Sequence, residues 1–207
     1  MYYSEDDIAN WDRVLRLKII NSVTGIKPAN LIGTIGPNGS TNLAVFSSIV
    51  HLGSNPGLLG CVTRPRTDEV GHTFENILES GVYTVNHIHP EFTKNAHYTS
   101  AKFPKDVSEF SKCGLTEDFI EGFKAPFVKE SQLKIGLRYV ENHKISNGTT
   151  LVIGRIEHLI LPDMDLNDGD IDLELSKSVG ISGLNSYYEL KKIAQYPFVR
   201  LEDVPEF

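Results

Sequence analysis

The spacing of apolar residues changes character twice along this chain. Over residues 4–23, Ile8, Trp11, Val14 or Leu15, and Ile19 recur at helical intervals, which predicts one helix with an apolar stripe. Ser4 followed by Asp7 is a capping-box pattern with Asp in the Glu place. Gly25 and Pro28 end the helix. From residue 30 the signal turns to β. A short apolar run over 30–36 is followed by Pro37-Asn38-Gly39-Ser40 and a return strand over 41–50. Asn-Gly between two such runs is a strong hairpin signal. Residues 57–63 read as another strand. Over 68–80, Val70, Phe74, Ile77 and Leu78 share one face and Gly81 follows as a C-cap, so this stretch reads as a helix. Residues 82–88 return to strand. The stretch 91–122 mixes short helical pieces with a loop near Lys102-Phe103-Pro104. Strand character resumes over 127–140 and 149–161, an acidic turn spans 163–172, and the tail over 186–198 is expected to hold a short helix. About seven strands arranged in hairpins, without βαβ alternation, predict a mainly β, antiparallel barrel or sandwich with a few peripheral helices.

Composition narrows the function classes. The 207 residues suit one domain with a real core. No window approaches the roughly 18 consecutive apolar residues of a membrane-spanning helix. The first ten residues carry acids where a signal peptide needs basic residues and an apolar run, so a cytoplasmic location is expected. The net charge of −7 and the lack of clustered Lys and Arg disfavour a nucleic-acid partner. Cys61 and Cys113 are far apart and form no CxxC pair; Cys61, within GLLGCVT, reads as a small buried hydrophobe.

Several familiar motifs fail. Gly33, Gly36 and Gly39 run into a hairpin, whereas a dinucleotide fingerprint opens a helix. There is no Walker sequence and no GxSxG elbow. With Asp163 as the first position of an EF-hand loop, Asp165, Asn167 and Glu174 fall at ligand positions. The obligatory glycine position is then Asp168, with Gly169 one residue late, so a solvated turn is the better reading. His87 and His89 alternate on one strand, but no third ligand stands beside them.

What remains is a pattern of small and polar residues over 34–76. A flat ring lying against a strand edge needs small side chains, which Ala44, Ser47, Ser48 and Gly53 supply. A phosphomonoester needs hydroxyls, backbone N–H groups and a cation. Arg64, Thr67, His72 and Thr73, where a sheet end meets a helix start, are a candidate anion site, with Arg66 alongside. Each residue alone has an ordinary reading as a turn, strand or surface position; the combination is what suggests a flavin-type cofactor.

The chain resembles the flavin-reductase-like FMN-binding split-barrel family. The resemblance rests on NLAVFSS at 42–48, GSNPGLLG at 53–60, RP at 64–65 and HTFENILESGVYTVN at 72–86. It continues with TSAKFPKDVSEF at 99–110, IGRIE at 153–157 and SGLNSYY at 182–188, in the family's order and spacing. It implies a single FMN-binding split-barrel domain over 1–207, forming a homodimer with FMN near the interface. NADH or NADPH would pass hydride to flavin N5, and a flavin or a protein would accept the electrons. By position, Asn42, Leu43, Ala44, Phe46, Ser47 and Ser48 would meet the ring or ribityl chain, helped by backbone N–H groups of the same strand. Ser54 and Asn55 would line the pocket, Arg64, His72 and Thr73 would hold the phosphate, and Asn86 would close the site. No side-chain catalyst and no metal are implied, since the cofactor carries the chemistry. Many members have Lys-Asp-Thr where this chain has Gly71-His72-Thr73, Pro at the place of Val45, and a double proline where this chain has Pro56-Gly57. The alternatives are a flavoredoxin-like electron carrier with no nicotinamide site, and a split barrel that binds another planar ligand.

Overall fold

A computed structural model of the chain describes residues 1–65, 72–162, 166–167 and 169–206. Its centre is a curled antiparallel sheet of seven strands: β2 (Asn30–Ile35), β3 (Thr41–Phe46), β4 (Val50–Ser54), β5 (Gly57–Thr63), β6 (Val82–His87), β9 (Lys134–Lys144) and β10 (Thr150–Ile160). Their spatial order is β3-β2-β6-β9-β10-β5-β4. The fold is a mainly β split barrel with peripheral helices.

Local chemistry explains most elements. The β2–β3 hairpin turns at Asn38-Gly39, where Gly39 has φ +77°. The Gly36 N–H donates to the Ser40 carbonyl at 2.8 Å. Helix α3 (Thr73–Ser80) ends on Gly81 in the left-handed region. The earlier part of the helix expected over 68–80 lies outside the described residues. The expected single helix over 4–23 is instead two, α1 (Glu5–Asn10) and α2 (Arg13–Ser22). The Ser4–Asp7 capping box forms as expected. The break has a clear cause: the Asp12 carboxylate accepts from the Val14 and Leu15 N–H groups and starts a second helix. The return strand expected over 41–50 stops at Phe46, and β4 begins at Val50. No helix forms over 186–198; among the described residues the tail holds only a 3-10 turn, Leu201–Asp203. Ser186–Glu189 is strand β14, paired with β13 (Val179–Ser182), whose far side pairs with β1 (Lys27–Pro28). The acidic turn holds a two-residue ladder between Leu166–Asn167 and Asp170–Ile171; Asp163, Asp165 and Asp168 lie outside the described residues.

The two faces of the sheet bury separate cores, and β2 feeds both by alternation. Ile32 joins Cys61, Tyr83, Val85, Ile135, Leu137 and Val152 inside the curl, with Ile77 of α3. Leu31 faces outward with Leu43, Ile88, Phe110, Val128 and Ile181. Phe110 is in helix α5 (Glu109–Cys113) and Val128 in the short strand β8 (Phe127–Val128). Gly154 of β10 leaves room for the Tyr83 ring, whose edge would lie 2.9 Å from any Cβ there. Both cysteines are free and buried, and burial pushes the Cys61 thiol up to about 12. Among the described residues, no helix is long and apolar enough to cross a membrane.

Candidate functional site

The barrel is split between its two edge strands, β3 and β4, which are consecutive in the chain. The linker over 47–49 closes the seam at one point. The Ser48 hydroxyl donates to the Val62 carbonyl at 3.0 Å and accepts from the Val62 N–H at 3.1 Å. One side chain thereby replaces a pair of ladder bonds and draws the linker onto β5. Ser48→Ala should remove both contacts, leave two backbone groups of Val62 without partners, and destabilise by about 1–3 kcal/mol. Thermal melting checks this; an unchanged melting point would mean water replaces the hydroxyl without loss.

Two further contacts define β3. The Asn42 amide donates to the Thr73 hydroxyl at 3.2 Å, fastening the strand to the first residue of α3. The Leu43 N–H, turned away from the sheet, donates to the Glu109 carboxylate at 3.0 Å. Glu109 is buried, and burial raises its pKa above the ordinary carboxylate value despite that bond. An outward N–H of this strand, of the kind expected to serve the flavin, is therefore already taken by the protein. The sequence offered no sign of this, because Glu109 lies 66 residues away.

The other expected site residues fall into three groups. Ala44, Phe46, Ser47 and Ser48 are half-buried along β3 and the seam, with the Phe46 ring against the inner core. Ser54, Asn55 and Arg64 are exposed, the first two at the β4–β5 turn and Arg64 just past β5. His72 and Thr73 are buried at the start of α3, where among the described residues no side chain caps the helix. Arg66 and Thr67 lie outside the described residues.

Asn86 sits elsewhere. It is fully buried, and its amide donates to the Leu31 carbonyl at 3.1 Å and to the Thr84 hydroxyl at 2.8 Å. Its oxygen accepts from the Val128 N–H at 3.0 Å. It pins β2, β6 and β8 together and turns no polar atom toward the seam. Leu43 likewise puts its side chain into the outer core. The two histidines noted for a shared face have separate tasks. His87 meets the Ser178 hydroxyl at 2.9 Å, while His89 accepts from the Glu91 N–H at 3.3 Å at the start of a short helical turn.

One cation was missed. Lys27 is near enough to Arg64 for the two charges to oppose each other, which together with burial, the larger cause, lowers the lysine's pKa. Its ammonium donates to the Asn21 and Gly183 carbonyls at 2.7 and 3.1 Å. Nothing local to Lys27-Pro28 in the sequence hints at this neighbour. The seam thus has small half-buried residues on one side, with Arg64 just past the end of β5 and the start of α3 beside Asn42.

The sequence matches the family described as Flavin reductase like domain over residues 26–173. The chain belongs to the flavin reductase-like family. A split-barrel protein of Shewanella frigidimarina NCIMB 400, provisionally assigned as a flavin reductase, is 44% identical; the match covers 96% of this chain and 100% of that one, with a TM-score of 0.91. Nitrilotriacetate monooxygenase component B from Bacillus cereus shares the flavin reductase-like fold at 18% identity, a TM-score of 0.83, and coverage of 95% and 98% of the two chains. Flavoredoxin of Desulfovibrio vulgaris (Miyazaki F) shares it at 21% identity and a TM-score of 0.73, over 96% of this chain and 98% of that one. An uncharacterised protein of Aquifex aeolicus is 28% identical over 177 residues, 83% of this chain and 87% of its own length.

Proposed function

We propose that this flavin reductase-like protein binds FMN along the seam and uses NADH or NADPH to reduce it, passing the electrons to a flavin or protein acceptor. The observation that carries the reading is the seam itself: half-buried Ala44, Ser47 and Ser48 beside an exposed arginine, running toward the Asn42–Thr73 junction at the start of α3. These residues fit the group. Small side chains allow a ring close to the backbone. Arg64 and the first N–H groups of α3, beside the Thr73 hydroxyl, suit a phosphate. Lys27 adds positive charge near Arg64 where the family's lysine is missing.

When bound, the flavin supplies the two-electron acceptor chemistry. The protein's part is to hold the ring, leave one face open to a nicotinamide, and aim fixed dipoles at the ring edge that becomes electron-rich. Ser47, half-buried, and the polar turn at Ser54-Asn55 are its groups for that task. Asn86 is left out of the site, since its hydrogen bonds are all internal. A second copy of the chain is part of this proposal, because Ser54, Asn55 and Arg64 stand exposed and one chain leaves the seam open.

The test is an anaerobic absorbance titration with FMN, followed by NADH and then NADPH. A shifted flavin spectrum that bleaches at a catalytic rate supports the reductase. A shifted spectrum that stays yellow with both nucleotides indicates an electron carrier. The lack of any shift overturns FMN binding and favours another planar ligand. Arg64→Ala should weaken FMN binding about tenfold, the loss of roughly 1.4 kcal/mol from an exposed charge-assisted contact. Riboflavin, which lacks the phosphate, should bind both proteins equally; equal losses for both ligands would remove Arg64 from the phosphate site.

A further inference from the structure

Both ends of the described chain are folded or extended without being packed. No residue before Ala29 is buried, although α2 and its flank carry Val14, Leu15, Leu17, Ile20, Val23 and Ile26 with their side chains largely in solvent. Every residue over 191–206 is exposed as well. That segment includes Ile193, Tyr196, Phe198 and Leu201, exposed at 95%, 82%, 89% and 90%. Scattered apolar residues on a surface are ordinary; two whole segments of them are not.

We propose that the 196–206 segment of one copy docks on α2 of a second copy, and that the reciprocal contact clasps the two chains together. This rests on the two-copy reading above. Three observations select a second copy as the occupant. The first is charge. The shallow, open groove on α2 is lined by Arg13, Arg16, Leu17, Ile20 and Asn21, all from that one helix. The segment meant for it carries Glu202, Asp203 and Glu206 around Leu201 and Val204, against one cation, Arg200. An apolar floor between two guanidinium groups matches apolar side chains flanked by carboxylates.

The second is reach. Among the described residues, side-chain contacts tie the tail to the chain's own body only as far as Gln195. The Lys192 N–H donates to Glu174 at 3.0 Å, its ammonium lies 3.6 Å from Asp172, and the Gln195 amide donates to Asp170 at 3.4 Å. Beyond that point the segment is long enough to span roughly 35 Å when extended, about twice the ~17 Å radius of gyration of a domain this size. The third is what the chain's own body offers. The segment lies exposed beside it and α2 stays open, so neither fills the other's need within one molecule. A second copy presents the same groove, and the contact closes on itself by twofold symmetry.

The experiment uses the full chain. Leu17→Cys and Leu201→Cys variants are mixed and oxidised; Cys61 and Cys113 are buried and do not interfere. A disulfide joining one of each is expected, found by peptide mass. In parallel, Arg13→Glu and Glu202→Arg should each weaken the dimer at least tenfold by light scattering, and the two together should recover most of that loss. A dimer that forms no 17–201 disulfide and ignores the charge changes would overturn the clasp and leave the two-copy reading standing. A monomer at every concentration would overturn both. A 17–201 disulfide formed within single molecules of the double cysteine variant would also overturn it.

Discussion

Gly33→Ala lowers the melting point by about 6–20 °C, the largest effect expected for a one-methyl change in this chain. Gly33 is buried in β2, opposite Leu43 and Thr84. A Cβ there would run into the Pro126 carbonyl oxygen and lie 2.6 Å from the Thr84 hydroxyl oxygen. Those two atoms are hydrogen-bonded to each other at 2.6 Å, and one of them is backbone, so neither can simply rotate away. Overpacking of this kind costs about 1–3 kcal/mol, and parting the bond leaves a buried carbonyl without its donor for about 1–3 more. The middle of that combined range, about 3–5 kcal/mol, corresponds to the stated shift, at about 2–4 °C per kcal/mol for a chain this long. Gly39→Ala is the control. Gly39 has φ +77° but open space around its Cβ, so its cost is conformational, about 1 kcal/mol. Equal losses at the two sites would mean that packing at Gly33 is not what matters.

The second large effect is acid lability through His87. The half-buried ring stands at the end of β6, and its partial removal from water takes its pKa from the ordinary 6.5 down to about 4. The unfolded chain therefore takes up a proton near pH 6.5, while the folded chain resists until about pH 4. Stability from this histidine is complete above 6.5 and is lost as pH falls through that window, about 3 kcal/mol in all. Glu109 works in the opposite direction. Its pKa is raised by burial, so its contribution is full below its ordinary value of 4.5 and is lost as pH rises through the raised one. A bare pH profile mixes the two. Comparing the wild type with His87→Gln, which can still bond Ser178, cancels Glu109. Between about pH 7.5 and 4.5, where about 2.5 kcal/mol of the histidine's contribution is lost, the wild type should lose about 5–10 °C more than the variant. Parallel losses would assign the lability to another group.

How much of this could be read from the sequence depended on how local the cause was. The Asn38-Gly39 turn, the 57–63 strand and the Gly81 cap are set by neighbouring residues, and each stands where expected. The break at Trp11-Asp12 was hidden because Ile8, Trp11 and Leu15 keep helical spacing across it, while one carboxylate outweighs the pattern. The tail was expected to hold a short helix, but Ser186–Glu189 finds β13 across a turn at Gly183 and becomes a strand. For the seam, the small residues at 44–48 and the family resemblance pointed to the stretch that lies between the two barrel edges. Glu109 and Lys27 act across the fold and leave no mark near their partners in sequence. Asn86, expected to close the site, spends its polar atoms on three internal partners that its own neighbourhood in sequence does not show.

The Ser48 clip has a consequence for motion. A backbone ladder yields only when strands part together, but a hydroxyl can release and remake both of its bonds by turning about one χ angle, on the picosecond-to-nanosecond scale of side-chain hops. The rim that would receive a planar ligand is therefore hinged on a single rotor, while the interior behind it is locked by the Asn86 junction. In hydrogen exchange the Val62 amide should trade its proton long before its neighbours deeper in β5, so the lip of the barrel can flex without the barrel itself beginning to unfold.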